Sequence, residues 1–470
     1  MSDKPEWISR FRDIVGDHNV ILDDPGLEPF SHDEFASDEF NEAPVIVVRP
    51  QSEAEVSQIV RLCSELNIPI TARGGGTGLA AGCVPSANGI VLLMDRLNRV
   101  IEVDEDNQTI TVQAGVSLEA LYQEVAKAKL FFPPHPGDES ALVGGAVAAN
   151  AGGSRAVKYG TIKRFVLGLE VVLADGRIVE LGGKVMKAST GYKLLDLMIG
   201  SEGTLGIITR VTFSLLPPAG SMQTLIAPFA TVREAIGTVP ALLKRGIVPC
   251  AVEFVEHSVI RCGERLLKRN WPTHDGEASL MIIIDGVSED EVLSLGEKIA
   301  EVMDEHHALD VLLADQKSRQ AEILEIRSML YEALRPGTAE LFDVCVPRSE
   351  IANHVQFVHE LEKKYAIPLP TYGHAADGNI HTHAMRTTIE DGVLGGEVAD
   401  WREKHVKVRE ELYDDAIKRK GVISGEHGIG LVKREYLARN IGDTTLSMMR
   451  SIKKALDPSG ILNPGKIFEL

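Results

Sequence analysis

The feature that most constrains this chain is a glycine-dense run entered from a short apolar segment, Ile68 to Ala72. It reads Arg73, Gly74, Gly75, Gly76, Thr77, Gly78, Leu79, followed by Ala80-Ala81-Gly82. Without Cβ atoms, backbone can come very close to another group, and positive φ costs little. Successive N–H groups in such a turn can form a nest for an anion, most often a phosphate. One run by itself reads equally as a flexible surface turn. A second run, Gly144-Gly145-Ala146-Val147-Ala148-Ala149-Asn150-Ala151-Gly152-Gly153, lies about 70 residues further on and is small and uncharged throughout. Two such loops can clasp a diphosphate between them.

The common nucleotide loops do not fit. Gly76 and Gly78 are followed by Gly82 one residue too late for Gly-x-Gly-x-x-Gly, and no Gly-Lys-Ser/Thr occurs anywhere. A Rossmann NAD site and a P-loop are therefore disfavoured. At 470 residues the chain has room for two or three domains. A net charge of −19 repels nucleic acid. No apolar run approaches the roughly 20 residues that span a bilayer. The start, Met-Ser-Asp-Lys-Pro-Glu, shows neither an apolar signal region nor an Arg-rich transit pattern, so a soluble, cytoplasmic protein is expected. The five cysteines, at 63, 83, 250, 262 and 345, form no Cys-x-x-Cys and suggest neither a disulfide framework nor an iron–sulfur or zinc site.

In chain order, an amphipathic helix is expected around Trp7 to Val15 and a strand over Pro44 to Val48. Ser52 and Ser117 cap helices running to about Leu66 and Lys129. Asp175-Gly176 between apolar runs signals a hairpin, and Pro217-Pro218 marks a domain boundary. Beyond it, strands and helices alternate: strand Ala251 to Val255, helix Asp290 to Glu305, helix Lys317 to Leu334, strand Phe342 to Val346, and the pair Thr371 to His374 and Asn379 to Met385. The natural packing is a ferredoxin-like antiparallel sheet with helices on one face. The expected division is 1–219, 220–432 and a closing segment 433–470.

The two glycine runs resemble the FAD-binding domain of the vanillyl-alcohol oxidase superfamily. Gly191 to Thr209, with Gly200-Ser201-Glu202-Gly203-Thr204-Leu205-Gly206 at its heart, is similar to that family's flavin-contacting segment. The resemblance implies an α+β protein: a PCMH-type two-subdomain FAD-binding domain, a ferredoxin-like α+β cap domain for substrate, and a C-terminal segment returning to the flavin. It implies FAD contacts from Arg73 to Leu79 and from Ser140, Gly144, Gly145, Asn150, Gly152, Gly153, Glu202, Gly203, Gly206, Ile208 and Asn463. Branches with covalent flavin carry a histidine in the first loop. Thr77 stands there here, which implies non-covalent FAD.

Tyr372-Gly373-His374-Ala375-Ala376-Asp377-Gly378-Asn379-Ile380-His381-Thr382-His383 sets histidines on both sides of an Asp-Gly-Asn turn. In a tight hairpin His374 and His381 converge, and with a carboxylate they make a divalent-metal site with an open position. The same residues suit surface or hydrogen-bonded roles. The motif, together with Glu426-His427-Gly428, resembles the D-2-hydroxyacid dehydrogenase branch of the superfamily. That resemblance implies His374, His381 and Glu426 as ligands of Zn, Mn or Fe, and His427 as the base. It implies Arg327 as carboxylate clamp, with Tyr331 and Asn379 as further substrate contacts; by sequence alone Arg327 is a helix-surface arginine. His383 is left a structural role.

Oxidising a 2-hydroxy acid removes a proton from an alcohol and a hydride from its carbon, so a Lewis acid suits the oxygen and a histidine suits the proton. The hydride goes to the flavin, and electrons must then leave to an outside acceptor: an electron-transfer flavoprotein, an iron–sulfur subunit, a cytochrome or a quinone. A homo-oligomer is compatible with the sequence. Members that oxidise 2-hydroxyglutarate carry a lysine where Leu341 stands, two residues before Asp343. D-lactate is therefore favoured, then glycolate, with D-2-hydroxyglutarate as the alternative. A flavin-dependent lyase of the ether-lipid branch lacks the two histidines, and a non-catalytic flavin subunit is the remaining alternative.

Overall fold

Two serines start helices as their sequences demand. The Ser52 side chain accepts the Glu55 N–H to cap Glu53–Leu66, and Ser117 accepts the Ala120 N–H to cap Leu118–Lys127. The computed structural model describes residues 7–35, 38–314 and 316–470, with the backbone alone at Asp24 and Asp38.

The chain forms two compact units. The first comprises Met1–Ala151, Thr161–Pro218 and Glu426–Leu470; the second comprises Gly152–Gly160 and Ala219–Gly425. The division differs from the expected one in two places. The chain leaves the second unit at Gly425, earlier than 432, and the short segment 152–160 clusters with the second unit. That segment is anchored by Asp285, whose carboxylate accepts from Lys158 Nζ and from the Tyr159 hydroxyl, each at 2.5 Å.

The first unit holds two sheets. One orders Val20–Ile21, Ile46–Val48, Ile90–Leu93 and Ile70–Arg73, with the last three parallel. The other is antiparallel, in the order Val100–Asp104, Thr109–Gln113, Ile207–Ser214, Val166–Val172 and Ile178–Gly182. The Asp175-Gly176 hairpin is its outer corner, with Gly176 at φ +79°. A single apolar cluster joins both sheets: Ile46, Val48, Ile90 and Leu92 from the first, Val172 and Ile207 from the second, Ile59 and Val60 from the capped helix. Ile461 and Leu462 of the closing segment enter the same cluster.

The second unit is built on a seven-stranded antiparallel sheet, ordered Leu312–Ala314, Ser221–Phe229, Ala278–Gly286, Ala251–Glu256, Thr371–His374, Asn379–Met385 and Thr338–Cys345, and carries a separate two-stranded hairpin of Thr387–Glu390 and Val393–Glu397. Helices cover both faces, where one face was expected. Val259, Ile260, Ile323, Ile326 and Leu330 pack with Ala251, Val255, Met281 and Tyr372 on one side. Helix Glu289–Glu305 lies on the other, with Gly296 against Ile284. The expected helix Lys317 to Leu334 is broken at Met329, which lets Leu330 and Leu334 join Ile323 and Ile326 in one cluster. No helix among the described residues is long and apolar enough to cross a membrane.

Candidate functional site

In the first unit the two glycine runs lie against each other. A Cβ on Gly74 would sit 3.3 Å from Leu142 Cβ and 3.9 Å from Gly145 Cα, and one on Gly75 would sit 3.3 Å from the Ser140 carbonyl oxygen. Gly76 has φ +79°, and a Cβ there would strike the Arg73 guanidinium at 2.2 Å. A Cβ on Gly145 would meet nothing within 4 Å, and Gly75, Gly78, Ser140 and Gly145 are all exposed. These small, exposed positions let backbone approach a diphosphate closely, so the residues present fit FAD. Thr77 and Leu79 continue the same loop, partly exposed.

The third segment docks on the second. The Gly200 and Glu202 N–H groups donate to the Val147 and Ala148 carbonyls, and Asn150, in the left-handed conformation at the end of helix Val143–Ala149, accepts from the Thr161 hydroxyl at 3.0 Å. A Cβ on Gly203 would lie 4.0 Å from the Asn463 amide nitrogen; Gly206 and Ile208 lie at the strand Ile207–Ser214, where a Cβ on Gly206 would strike Val171 at 2.4 Å. Gly152 and Gly153 cluster with the second unit.

Asn463 ties three stretches together: its amide donates to the carbonyls of Gly82 at 2.9 Å and Glu202 at 2.7 Å, and its oxygen accepts from Thr71 at 3.2 Å. Glu202 is half-buried, desolvation raises its carboxyl, and it accepts the N–H groups of Ile429 and Gly430 at 2.8 Å each. Buried Lys453 gives its three protons to the Thr204 carbonyl, the Leu462 carbonyl and Asp457, fixing the loop to the closing segment.

One expected cofactor residue is committed elsewhere. The Arg73 guanidinium donates to the carbonyls of His32 at 2.7 Å and Pro29 at 3.2 Å and to Cys83 Sγ, because the N-terminal segment covers it. Asp33, which the motifs did not reveal, is buried beside the same loop, 3.4 Å from where a Gly78 Cβ would lie. Burial pushes its carboxyl up to about 7, against the N–H of Phe35 and nearby Arg73.

In the second unit, strand register gathers the polar residues. Glu253 stands opposite His374, His374 opposite Asn379, Tyr372 opposite His381, His381 opposite Asp343, and His383 opposite Leu341. Directly opposed residues share a sheet face, so all of these side chains project from one side, where Arg327 of helix Lys317–Ser328 reaches them. The His374 and His381 rings lie 5.3 Å apart at 78°. His374 Nδ1 is 2.7 Å from Glu253 Oε1. Arg327 donates to Glu253 Oε2 from Nε at 2.9 Å and from Nη2, with its guanidinium 4.9 Å over the Tyr372 ring. Burial alone would raise the Glu253 carboxyl, but His374 and Arg327 hold it down to about 2.

Asn379, expected at substrate, uses its amide within the protein. It donates to Asp343 at 2.7 Å and to the Val344 carbonyl at 3.2 Å, and its oxygen lies 3.1 Å from His381 Nε2. His383 is fully buried between the hydroxyls of Thr338 and Tyr372. The Tyr331 ring lies 6.0 Å from that of His383. Leu341 is buried on the same face. Glu426 and His427 follow directly after Gly425, as the first residues of the first unit's returning segment. The donor set on this face, two close imidazoles with a buried carboxylate behind one of them, fits a divalent cation. Glu253 escaped the motif reading, and Asp343 entered it only as the reference point for Leu341; the signal was an acidic residue within an apolar strand, as in Ala251-Val252-Glu253-Phe254-Val255.

Comparison with known proteins agrees with both halves. Residues 44–182 match the FAD binding domain model, and residues 220–467 match the C-terminal domain of FAD linked oxidases. The chain is 42% identical to a D-lactate dehydrogenase of Archaeoglobus fulgidus over 90% of its length and 91% of that protein. It is 36% identical to the glycolate oxidase subunit GlcD of Bacillus subtilis over 97% of its length and 95% of the relative. Among solved structures, p-cresol methylhydroxylase shares the fold at a TM-score of 0.79 and 18% identity, covering 98% of this chain and 96% of that one. The chain therefore belongs to the FAD-linked oxidases, in the family that includes these D-lactate dehydrogenase and glycolate oxidase subunit relatives, and is a flavin-dependent oxidoreductase.

Proposed function

We propose that the protein oxidises a small D-2-hydroxy acid to the 2-oxo acid, D-lactate in first place and glycolate in second, with a divalent metal assisting and an external acceptor taking the electrons. The observation that carries this reading is the single sheet face on which His374, His381 and Arg327 meet around the buried Glu253. His374, His381 and Glu426 would hold the metal. When bound, FAD supplies the hydride acceptor and the metal supplies a Lewis acid for the alcohol oxygen. Arg327 pairs with the substrate carboxylate through the guanidinium edge that Glu253 does not use. His427 takes the alcohol proton. Tyr331 and Leu341 bound the side-chain end; the apolar Leu341 suits a methyl group, whereas a second carboxylate buried there without a partner is costly.

The relatives named for D-lactate and for glycolate support this substrate class. The test is kcat/KM with an artificial acceptor for D-lactate, L-lactate, glycolate and D-2-hydroxyglutarate. D-lactate is expected to lead; a clear win for L-lactate or for the diacid would overturn the assignment.

A further inference from the structure

We propose that Glu253 is a positioning residue: its one carboxylate orients the metal ligand His374 and the substrate clamp Arg327 together, so that the two halves of the site share a single anchor. The inference rests on the metal and substrate roles assigned above and extends them to a residue that touches neither.

The geometry divides the carboxylate by function. Oε1 takes His374 Nδ1 at 2.7 Å, and Oε2 takes both Nε and Nη2 of Arg327. Both partners are fixed in their own right. His374 is opposed to Glu253 across two antiparallel strands, and Arg327 is laid over the Tyr372 ring. With Nδ1–H donated to Glu253, His374 presents Nε2 as the nitrogen that can ligate. With Nε and Nη2 committed, the Arg327 fork keeps one orientation, and its Nη1 side is the edge turned to other partners.

Stability alone does not explain the residue. Glu253 has no exposed surface and sits in an otherwise apolar stretch of strand. A buried ion pair there is commonly no better for stability than apolar residues of the same volume. A carboxylate at this point has a reason to exist if it must hold two other groups in fixed geometry. Arg327, with 16% of its side chain exposed, is the only one of the three with appreciable access to solvent, as a substrate-facing group requires.

The test uses the flavin-loaded protein after metal stripping. Co²⁺ affinity is measured by competition with a coloured chelator and by the visible spectrum of the bound ion, in wild type, Glu253→Gln and Glu253→Ala. With FAD content unchanged, Co²⁺ affinity should fall about 10- to 100-fold, the usual effect of losing a carboxylate behind a metal-bound histidine. KM for D-lactate should rise in the same variants. Wild-type affinity, spectrum and KM in both variants would overturn the proposal. If the wild type bound no Co²⁺, the metal reading itself would fail, and the KM effect would still decide the Arg327 half. Should neither variant fold, ¹⁵N-histidine spectra of the Zn²⁺-loaded wild type, assigned with His374→Asn, decide it: Nδ1–H with Nε2 ligated supports the role, and Nδ1 ligated contradicts it.

Discussion

Asp343 holds the backbone N–H of Gly425 twice, through its own carbonyl oxygen at 3.1 Å and its carboxylate Oδ2 at 3.0 Å. The Ser424 hydroxyl joins the same carboxylate at 2.9 Å and the Asn379 amide joins it at 2.7 Å. A side chain at Gly425 has no room, since its Cβ would lie 2.3 Å from Asn379 Nδ2. The chain direction is thereby fixed one residue before Glu426 and two before His427.

Asp343→Ala should damage both stability and turnover. Three donors lose the carboxylate they share, and for the buried one, the Asn379 amide, the loss costs about 1 to 3 kcal/mol. Misplacing Glu426 and His427 by even an ångström should lower kcat on the order of 100-fold. Thermal melting and steady-state rates on protein that retains FAD check this; normal kcat would show that the Gly425 anchor does not matter.

Asp33 gives a pH signature of stability. Its carboxyl lies at about 7 in the folded protein against 3.8 ordinarily, so the folded state holds a proton that the unfolded state releases. Its contribution is full below about pH 4 and is lost as pH rises through 7. Asp33→Asn, which keeps the oxygen that accepts the Phe35 N–H, should therefore gain melting temperature over wild type at pH 8 and not at pH 4. An equal difference at both values would contradict the shift.

Prolonged chelation should abolish D-lactate oxidation while leaving the flavin absorbance intact, and Zn²⁺, Mn²⁺ or Fe²⁺ should restore it, because a His/His/Glu set selects weakly among them. Full turnover by protein shown by elemental analysis to hold no metal would sink the metal assignment.

Leu341→Lys should shift preference toward D-2-hydroxyglutarate, by lowering its KM, and should cost activity on D-lactate. The position faces His383 on the site side of the sheet. An unchanged ratio of kcat/KM between the two acids would show that Leu341 does not border the substrate.

The sequence showed local signals and missed relations between strands. The caps at Ser52 and Ser117, the Asp175-Gly176 hairpin and both glycine runs were legible because each depends on neighbouring residues. The convergence of His374 with His381 was legible for the same reason, through the short Asp377-Gly378-Asn379 turn. Glu253 was hidden because it lies 121 positions from His374 and meets it only through sheet register. The turning of Arg73 toward the carbonyls of Pro29 and His32 was hidden by the same kind of distance. Helices on both sheet faces were missed because alternation of strands and helices says nothing about which side each helix takes.

The central claim is tested most directly by anaerobic mixing of the purified, FAD-loaded protein with D-lactate while flavin absorbance is followed. Wild type should bleach at a catalytically competent rate, L-lactate should not bleach it, and His427→Asn should bleach on the order of 100- to 10,000-fold more slowly with its FAD still bound. A flavin that stays oxidised with D-lactate, glycolate and D-2-hydroxyglutarate alike, or a His427→Asn variant that bleaches as fast as wild type, would contradict the account.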